Sequence, residues 1–302
     1  MPPEYPKFKS LEFEDLDQVK KHLKDTEPNI CEFSPANLMI WKDFDRPKIT
    51  LINGNLCLLI TPLNESPFFL EPLGENLPLE TVEECLKHCG KISRATESFT
   101  GKLSLLRIRV TCLRDQFDYL YETKVLAELK GRKFDCKRNH IKNFKRRHPG
   151  YEYLPLAPEL KNGCLELFEE WFAVRQESRY FPRRAHTSQK TALEKAFKYY
   201  DDLKMIGSAL LIDKKVKGFM IGSQLNKRTV SAHFQYAHPA LRGIFQTLLW
   251  EACNKTFQNF THINLEQDLG IPGLRKAKLS YYPLKLEKKF EIAPIQKQPA
   301  PA

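Results

Sequence analysis

The run Gly207-Ser-Ala-Leu-Leu-Ile212, Asp213-Lys-Lys215, Val216-Lys-Gly-Phe-Met-Ile221, followed by Val230-Ser-Ala-His-Phe-Gln-Tyr236, decides the fold class. Two short apolar runs on either side of an Asp-Lys-Lys turn read as antiparallel strands, and the third run is a central strand. Pro239 and Gly243 then break the chain, an apolar helix is expected from Ile244 to Phe257, and Thr261-His-Ile-Asn264 returns as a strand. Ahead of the hairpin, Tyr151-Glu-Tyr-Leu-Pro-Leu156 is extended. Cys164 to Arg175 is amphipathic, carrying Leu165, Phe168, Trp171 and Phe172, and a second helix is expected over about Thr187 to Tyr200.

Working outward, the N-terminal half carries a similar order. Leu11-Glu-Phe-Glu-Asp-Leu16 reads as extended, and Val19 and Leu23 mark a short amphipathic helix. After Pro28 and Pro35 comes Leu38-Met-Ile-Trp41. Lys48-Ile-Thr-Leu-Ile52 and Leu56-Cys-Leu-Leu-Ile60 flank Asn53-Gly54, the strongest short-range hairpin signal. A Pro/Gly-rich crossing (Pro67 to Pro78) leads to a helix from Leu79 to His88 and a strand from Ser104 to Val110. Asp118-Tyr-Leu-Tyr-Glu122 reads as the last strand of this half, running into a linking helix with Leu126 and Leu129. Helix, helix, hairpin, central strand, helix, strand resembles an N-acyltransferase domain of the acetyltransferase (GNAT) type. The expected fold is α/β (α+β), two tandem GNAT-like domains with mixed sheets flanked by helices. The expected divisions are 1–150 with a basic linking helix, 151–294 with the candidate site, and 295–302 as a disordered tail.

Composition agrees with this size. A chain of 302 residues suits two domains, and 42% hydrophobic with 28% charged residues suits buried cores. No apolar run approaches the roughly 20 residues of a membrane span. Met-Pro-Pro-Glu-Tyr-Pro6 lacks the basic and apolar regions of a secretion signal. Eight cysteines without a framework spacing point to free thiols and a cytoplasmic location. A net charge of +11 suits a phosphate-bearing partner (nucleic acid, a nucleotide cofactor or anionic lipid) or else a merely soluble basic protein.

Three stretches carry chemistry. On a helix from about Asp135, as N-cap, to His148, Ile141 and Phe144 point inward. Arg138, Lys142, Lys145 and Arg146 then share a face, a ridge suited to phosphate or else a solvated surface. His238-Pro-Ala-Leu-Arg242-Gly243 lies where an acetyltransferase places its pyrophosphate loop, with one glycine in place of two or three. That counts against acetyl-CoA as the donor. Asn264-Leu-Glu266-Gln-Asp268-Leu-Gly270 runs through Arg275, Lys276 and Lys278 to Tyr281-Tyr282-Pro283. It alternates acid, glycine, base and aromatic, which suits a donor with both cationic and anionic groups. His233 alternates with Phe234 and is read as facing away from it. Cys85, His88 and Cys89 lack the second ligand pair of a zinc site and read as a helix face; no metal is expected. No P-loop, nucleophile elbow or His-Glu-x-x-His motif is present.

The segments Tyr121 to Pro149 and Asn264 to Pro283 resemble the C-terminal domain of phosphatidylglycerol lysyltransferases, over nearly the whole chain. The resemblance implies tandem acetyltransferase-like domains related to Fem-type enzymes, which move an aminoacyl group from aminoacyl-tRNA to an amine or hydroxyl. By carry-over, Glu266 and Asp268, on the turn opened by Asn264, would hold the donor's ammonium. Arg275 and Lys278 would take phosphate, and Tyr282 would line the cleft. Arg138, Asn139 and Lys142 would reach the same donor across the domain interface, with Lys145, Arg146 and Arg242 as further phosphate or tRNA contacts. No cofactor is implied, aminoacyl-tRNA being the co-substrate. The lysyltransferases carry many membrane spans before this domain and this sequence shows none. The expected acceptor is therefore a lipid headgroup or a soluble amine or hydroxyl, with attachment at most peripheral to the inner face of the membrane. An acyl-CoA-dependent N-acyltransferase and a non-catalytic module binding tRNA or anionic membrane are the alternatives.

Overall fold

The computed structural model describes residues 1–23, 28–74, 78–175 and 183–295. The chain divides into two compact units, Met1–Phe117 with Glu287–Ala302, and Asp118–Leu286. Within the first half the strands are β1 (Lys9–Ser10), β2 (Lys48–Ile52), β3 (Asn55–Ile60), β4 (Phe68–Phe69), β5 (Ile92–Thr96) and β6 (Ile108–Cys112). The second unit contributes β7 (Asp118–Glu122), β8 (Glu152–Pro155), β9 (Met205–Ile212), β10 (Lys215–Gln224), β11 (Thr229–Ala237), β12 (His262–Asn264) and β13 (Lys285–Glu287). The last strand is β14 (Lys289–Pro294).

Each unit holds a mixed seven-stranded sheet. Their orders are β1-β2-β3-β4-β5-β14-β6 and β8-β9-β10-β11-β12-β7-β13. Read side by side these are one pattern: an antiparallel meander, one parallel pair (β4 with β5, β11 with β12), then an antiparallel strand. The sixth position is exchanged. Sheet one takes β14 from the C-terminal end, and sheet two takes β7, which precedes it in the chain. Hence Asp118–Glu122 is not the last strand of the first sheet, and the boundary falls at 117/118 and again near 287, not at 150. The Asn53-Gly54 hairpin forms between β2 and β3 with both turn residues at positive φ. Two expectations shift. Phe13–Asp15 form a 3-10 turn within the segment expected to be extended and lead into the expected short helix (Leu16–Leu23), and β5 with its following short helix (Glu97–Gly101) adds elements to the expected order. The expected tail lies, from residue 296 on, outside the described residues.

In the second unit one core cluster joins Tyr119, Tyr121, Met220, Val230 and Ile263 of the sheet to Ile244, Leu248 and Leu249. These three belong to the helix Ile244–Glu251, which continues as a π-helical turn, Ala252–Thr256. The basic helix Asp135–Arg147 buries Ile141 and Phe144 in this same unit, as the apolar spacing requires. Asp135 is its first helical residue, not its N-cap, and its carboxylate receives Arg138 one turn on. Helix Ile244–Glu251 packs tightly on the basic helix. A Cβ at Gly243, whose φ is 94°, would sit 2.5 Å from the His140 carbonyl. The other face of the sheet is covered by helix Lys161–Ala173, through Phe168 and Trp171 against Tyr236. All eight cysteines are free thiols, and among the described residues no helix is long and apolar enough to cross a membrane. Cys85 faces Cys57, Cys89 bonds backbone carbonyls, and His88 packs on Phe8 and Phe69, so these three side chains do not converge.

Candidate functional site

The parallel pairing of β11 with β12 stops at Ser231 opposite Asn264. Beyond that point β11 keeps its partner β10 but not β12, so the sheet opens on one side. In the β10–β11 ladder, Ile221 pairs Phe234 and Gly222 pairs Ala232, leaving His233 as the extra residue of a β-bulge. The bulge breaks the two-residue alternation of the strand. As a result His233 lies on the face of Ser223, Ser231 and Phe234, not opposite Phe234 as strict alternation predicts. Gly222 permits the kink, since a Cβ there would meet the Ser231 carbonyl at 2.5 Å.

On this face Glu266 is the focal group. Its backbone is left-handed, with φ 58°, a strained state for a non-glycine residue. Asn264, fully buried, enforces it: the side-chain oxygen accepts the Glu266 N–H at 2.7 Å while the amide donates to Asp118 at 2.9 Å. Glu266 Oε1 accepts from His233 Nδ1 at 2.8 Å and Ser231 Oγ at 3.0 Å, and His233 Nε2 lies 2.7 Å from Ser223 Oγ. Oε2 has no hydrogen-bond partner among the described residues. Burial pushes the Glu266 carboxyl up, but the His233 hydrogen bond, the charges of His233 and Lys278 and the Ser231 bond outweigh it and hold the group below the usual range. The group is thus a partly exposed, ionised carboxylate with one oxygen fixed and one open, suited to receive an ammonium.

The other motif residues build the loop around it. Asp268 is completely buried and accepts from Tyr119 Oη at 2.6 Å, the Gly270 N–H at 2.9 Å, and Arg275 in a bidentate pair at 2.9 and 2.8 Å. Burial pushes its carboxyl up, and Arg275, Tyr119 and Gly270 together bring it far below the usual range. Lys278 Nζ donates to the carbonyls of Leu265, at 2.7 Å, Glu266, at 3.1 Å, and Gln267. Asp268, Arg275 and Lys278 are therefore occupied with one another's loop. Tyr282, about half exposed with φ 53°, packs edge-on against Phe134 under Lys133.

The basic helix divides its cations differently from the expected ridge. Arg138 ties back to the carbonyls of Leu129 and Gly131 and to Asp135. Lys145 lies 3.5 Å from Glu251 and over the Trp250 ring, while Lys142 and Arg146 are exposed. Asn139 and Arg242 are brought together in a cleft of about 370 Å³, shared with Cys136, His140, Asn143 and Arg147. On the helix these follow 136, 139, 140, 143, 147, a stripe one step round from 138, 142, 145, 146. Asn143, His140 and Arg147 were not singled out from sequence. What fixes the stripe is the contact of Gly243 with His140, which sequence spacing does not reveal. The His140 imidazole is lowered by burial and then by the positive charges of Arg242 and Lys137, so the cleft is an electropositive, amide-lined pocket.

Comparison with known proteins agrees with this frame. A solved conserved protein of unknown function from Bacteroides thetaiotaomicron VPI-5482 is 28% identical, aligned over 95% of this chain and 99% of that one, with TM-score 0.85. L-PGS from Bacillus licheniformis, 16% identical over 93% of this chain and 92% of that one (TM-score 0.63), shares the fold. An uncharacterized protein of Mycoplasmoides gallisepticum is 24% identical over 186 residues, 59% of this chain, and the match spans 56% of that relative's length. The family described as phosphatidylglycerol lysyltransferase, C-terminal, matches residues 24–293, and the chain belongs to it.

Proposed function

We propose that this protein is an aminoacyltransferase whose donor is aminoacyl-tRNA and whose acceptor is an amine or hydroxyl, on a lipid headgroup or a soluble molecule. The observation that carries the reading is Glu266, an ionised carboxylate pinned through Oε1 with Oε2 left open where β11 and β12 part. A pure phosphate binder has no use for such a group, whereas the α-ammonium of an aminoacyl ester does. In the reaction the acceptor oxygen or nitrogen bonds to the ester carbonyl carbon. The bond to the terminal ribose oxygen breaks, and the acceptor's proton passes to that oxygen. The ester is already activated, so holding donor and acceptor in register supplies much of the rate. Asn264, Asp268, Arg275 and Lys278 keep the Glu266 loop in place, and the Asn139–Arg242 cleft, with Arg147, would take phosphate of the tRNA acceptor end. The family membership and the shared fold support the transferase class. No cofactor enters this scheme, and acyl-CoA is the competing donor.

The test is transfer of radiolabelled amino acid from a mixture of charged tRNAs to lipid extract and to a pool of soluble amines. Product formation that Glu266→Gln lowers about a hundredfold, with an unchanged melting temperature, supports the reading. Product formed equally well by Glu266→Gln, or formed only from acetyl-CoA, overturns it.

A further inference from the structure

We infer that the surface made by Leu279, Tyr282 and Leu284 with Lys133, Lys276 and Lys285 docks this protein onto an anionic lipid bilayer. The three apolar side chains are 41%, 49% and 54% exposed within a run of six residues, in a unit whose other apolar groups mostly pack into its core. The run is held rigidly. The Tyr282 N–H donates to the Leu279 carbonyl at 3.0 Å, and the Leu284 N–H donates to Leu120 of β7 at 2.8 Å. Tyr282 adopts φ 53°, and its ring lies 4.9 Å from Lys133 Nζ. Lys276 stands one turn before Leu279 on the helix Pro272–Leu279, and Lys285, exposed, opens the edge strand β13.

Between Asp268 and Glu287, both buried, residues 269–286 contain no acid, and of their four bases Arg275 and Lys278 are taken up within the loop while Lys276 and Lys285 are exposed. Exposed leucines beside a tyrosine and lysines match the depth profile of a bilayer interface: alkyl groups below the headgroups, the phenol at their level, ammonium groups on the phosphates. RNA would use the lysines and the tyrosine but would gain nothing from two exposed leucines. This inference concerns where the protein sits and does not depend on the transfer reading.

The experiment uses the full chain, without tRNA or acceptor, co-sedimented with vesicles of phosphatidylcholine alone or with added phosphatidylglycerol. Binding to the anionic vesicles only, weakened by salt, is expected. Leu284→Asp, and separately the pair Lys276→Glu with Lys285→Glu, should each lower it at least about tenfold with the melting temperature unchanged. Equal binding by these variants, or no binding to either vesicle, overturns the proposal. So does total tRNA binding that these variants lose in place of vesicle binding, which would make the surface a nucleic-acid face.

Discussion

Both sheets place a charged residue with φ 58° two positions beyond their parallel pair: Arg94 after Ile92 in the first unit, Glu266 after Asn264 in the second. In the first unit that residue is consumed internally. Arg94 forms a bidentate pair with Glu65 at 3.1 and 2.9 Å, lies 4.7 Å over the Phe68 ring, and shares Glu65 with Lys91. In the second, Glu266 uses one oxygen on His233 and Ser231 and leaves the other open. One scaffold thus yields a fully paired residue in one repeat and, in the other, a carboxylate with one oxygen that has no hydrogen-bond partner among the described residues. The difference lies in whether the neighbouring strands supply the partner, and it is why the proposed reading puts the chemistry in the second unit.

The comparison can be broken at several points. Arg94→Ala leaves Glu65 with Lys91 alone and should cost about 2 kcal/mol of stability, read by urea unfolding, while leaving kcat of transfer unchanged. A loss of transfer at permissive temperature would end the division of labour between the units. Glu266→Gln keeps the shape but not the charge, and should lower kcat/KM for transfer about a hundredfold with little change in stability. Arg147→Ala and Arg242→Ala should each weaken tRNA binding about tenfold and reduce the slope of log K against log salt by about 1, whereas Arg146→Ala should do neither.

The smallest effect is a pH signature of the first unit. Burial pushes the Asp45 carboxyl up to about 7, with Glu32 and Glu65 adding to the shift and Arg94 opposing it. Because the folded state favours the neutral acid, stability should fall as pH rises from about 4, where an unfolded aspartate titrates, to about 7, and then level off. Asp45→Asn should remove this slope, raising the melting temperature by a few degrees at pH 8 and leaving it unchanged at pH 4. A parallel shift at both pH values would show that Asp45 does not titrate in this way.

Much of this was legible in the sequence. The Asn53-Gly54 hairpin, the β9–β10 hairpin and the 264–283 motif declare themselves through local turn chemistry and two-residue periodicity. The exchange of β7 and β14 was not legible, because strand pairing across the chain leaves no local mark: Asp118-Tyr-Leu-Tyr-Glu122 looks the same whichever sheet receives it. The facing of His233 was lost for a related reason, since one inserted residue reverses the alternation on which the reading rests. Asp268 and Arg275 look like ligand groups in sequence because charge is visible there, whereas their bidentate pairing is not.

The most direct measurement is binding of charged against uncharged tRNA to the wild-type chain, Glu266→Gln and Arg94→Gln. The account predicts that wild type and Arg94→Gln prefer charged tRNA, while Glu266→Gln binds both forms with the affinity wild type shows for uncharged tRNA. Equal binding of both forms by wild type, or a preference that survives in Glu266→Gln, would contradict it.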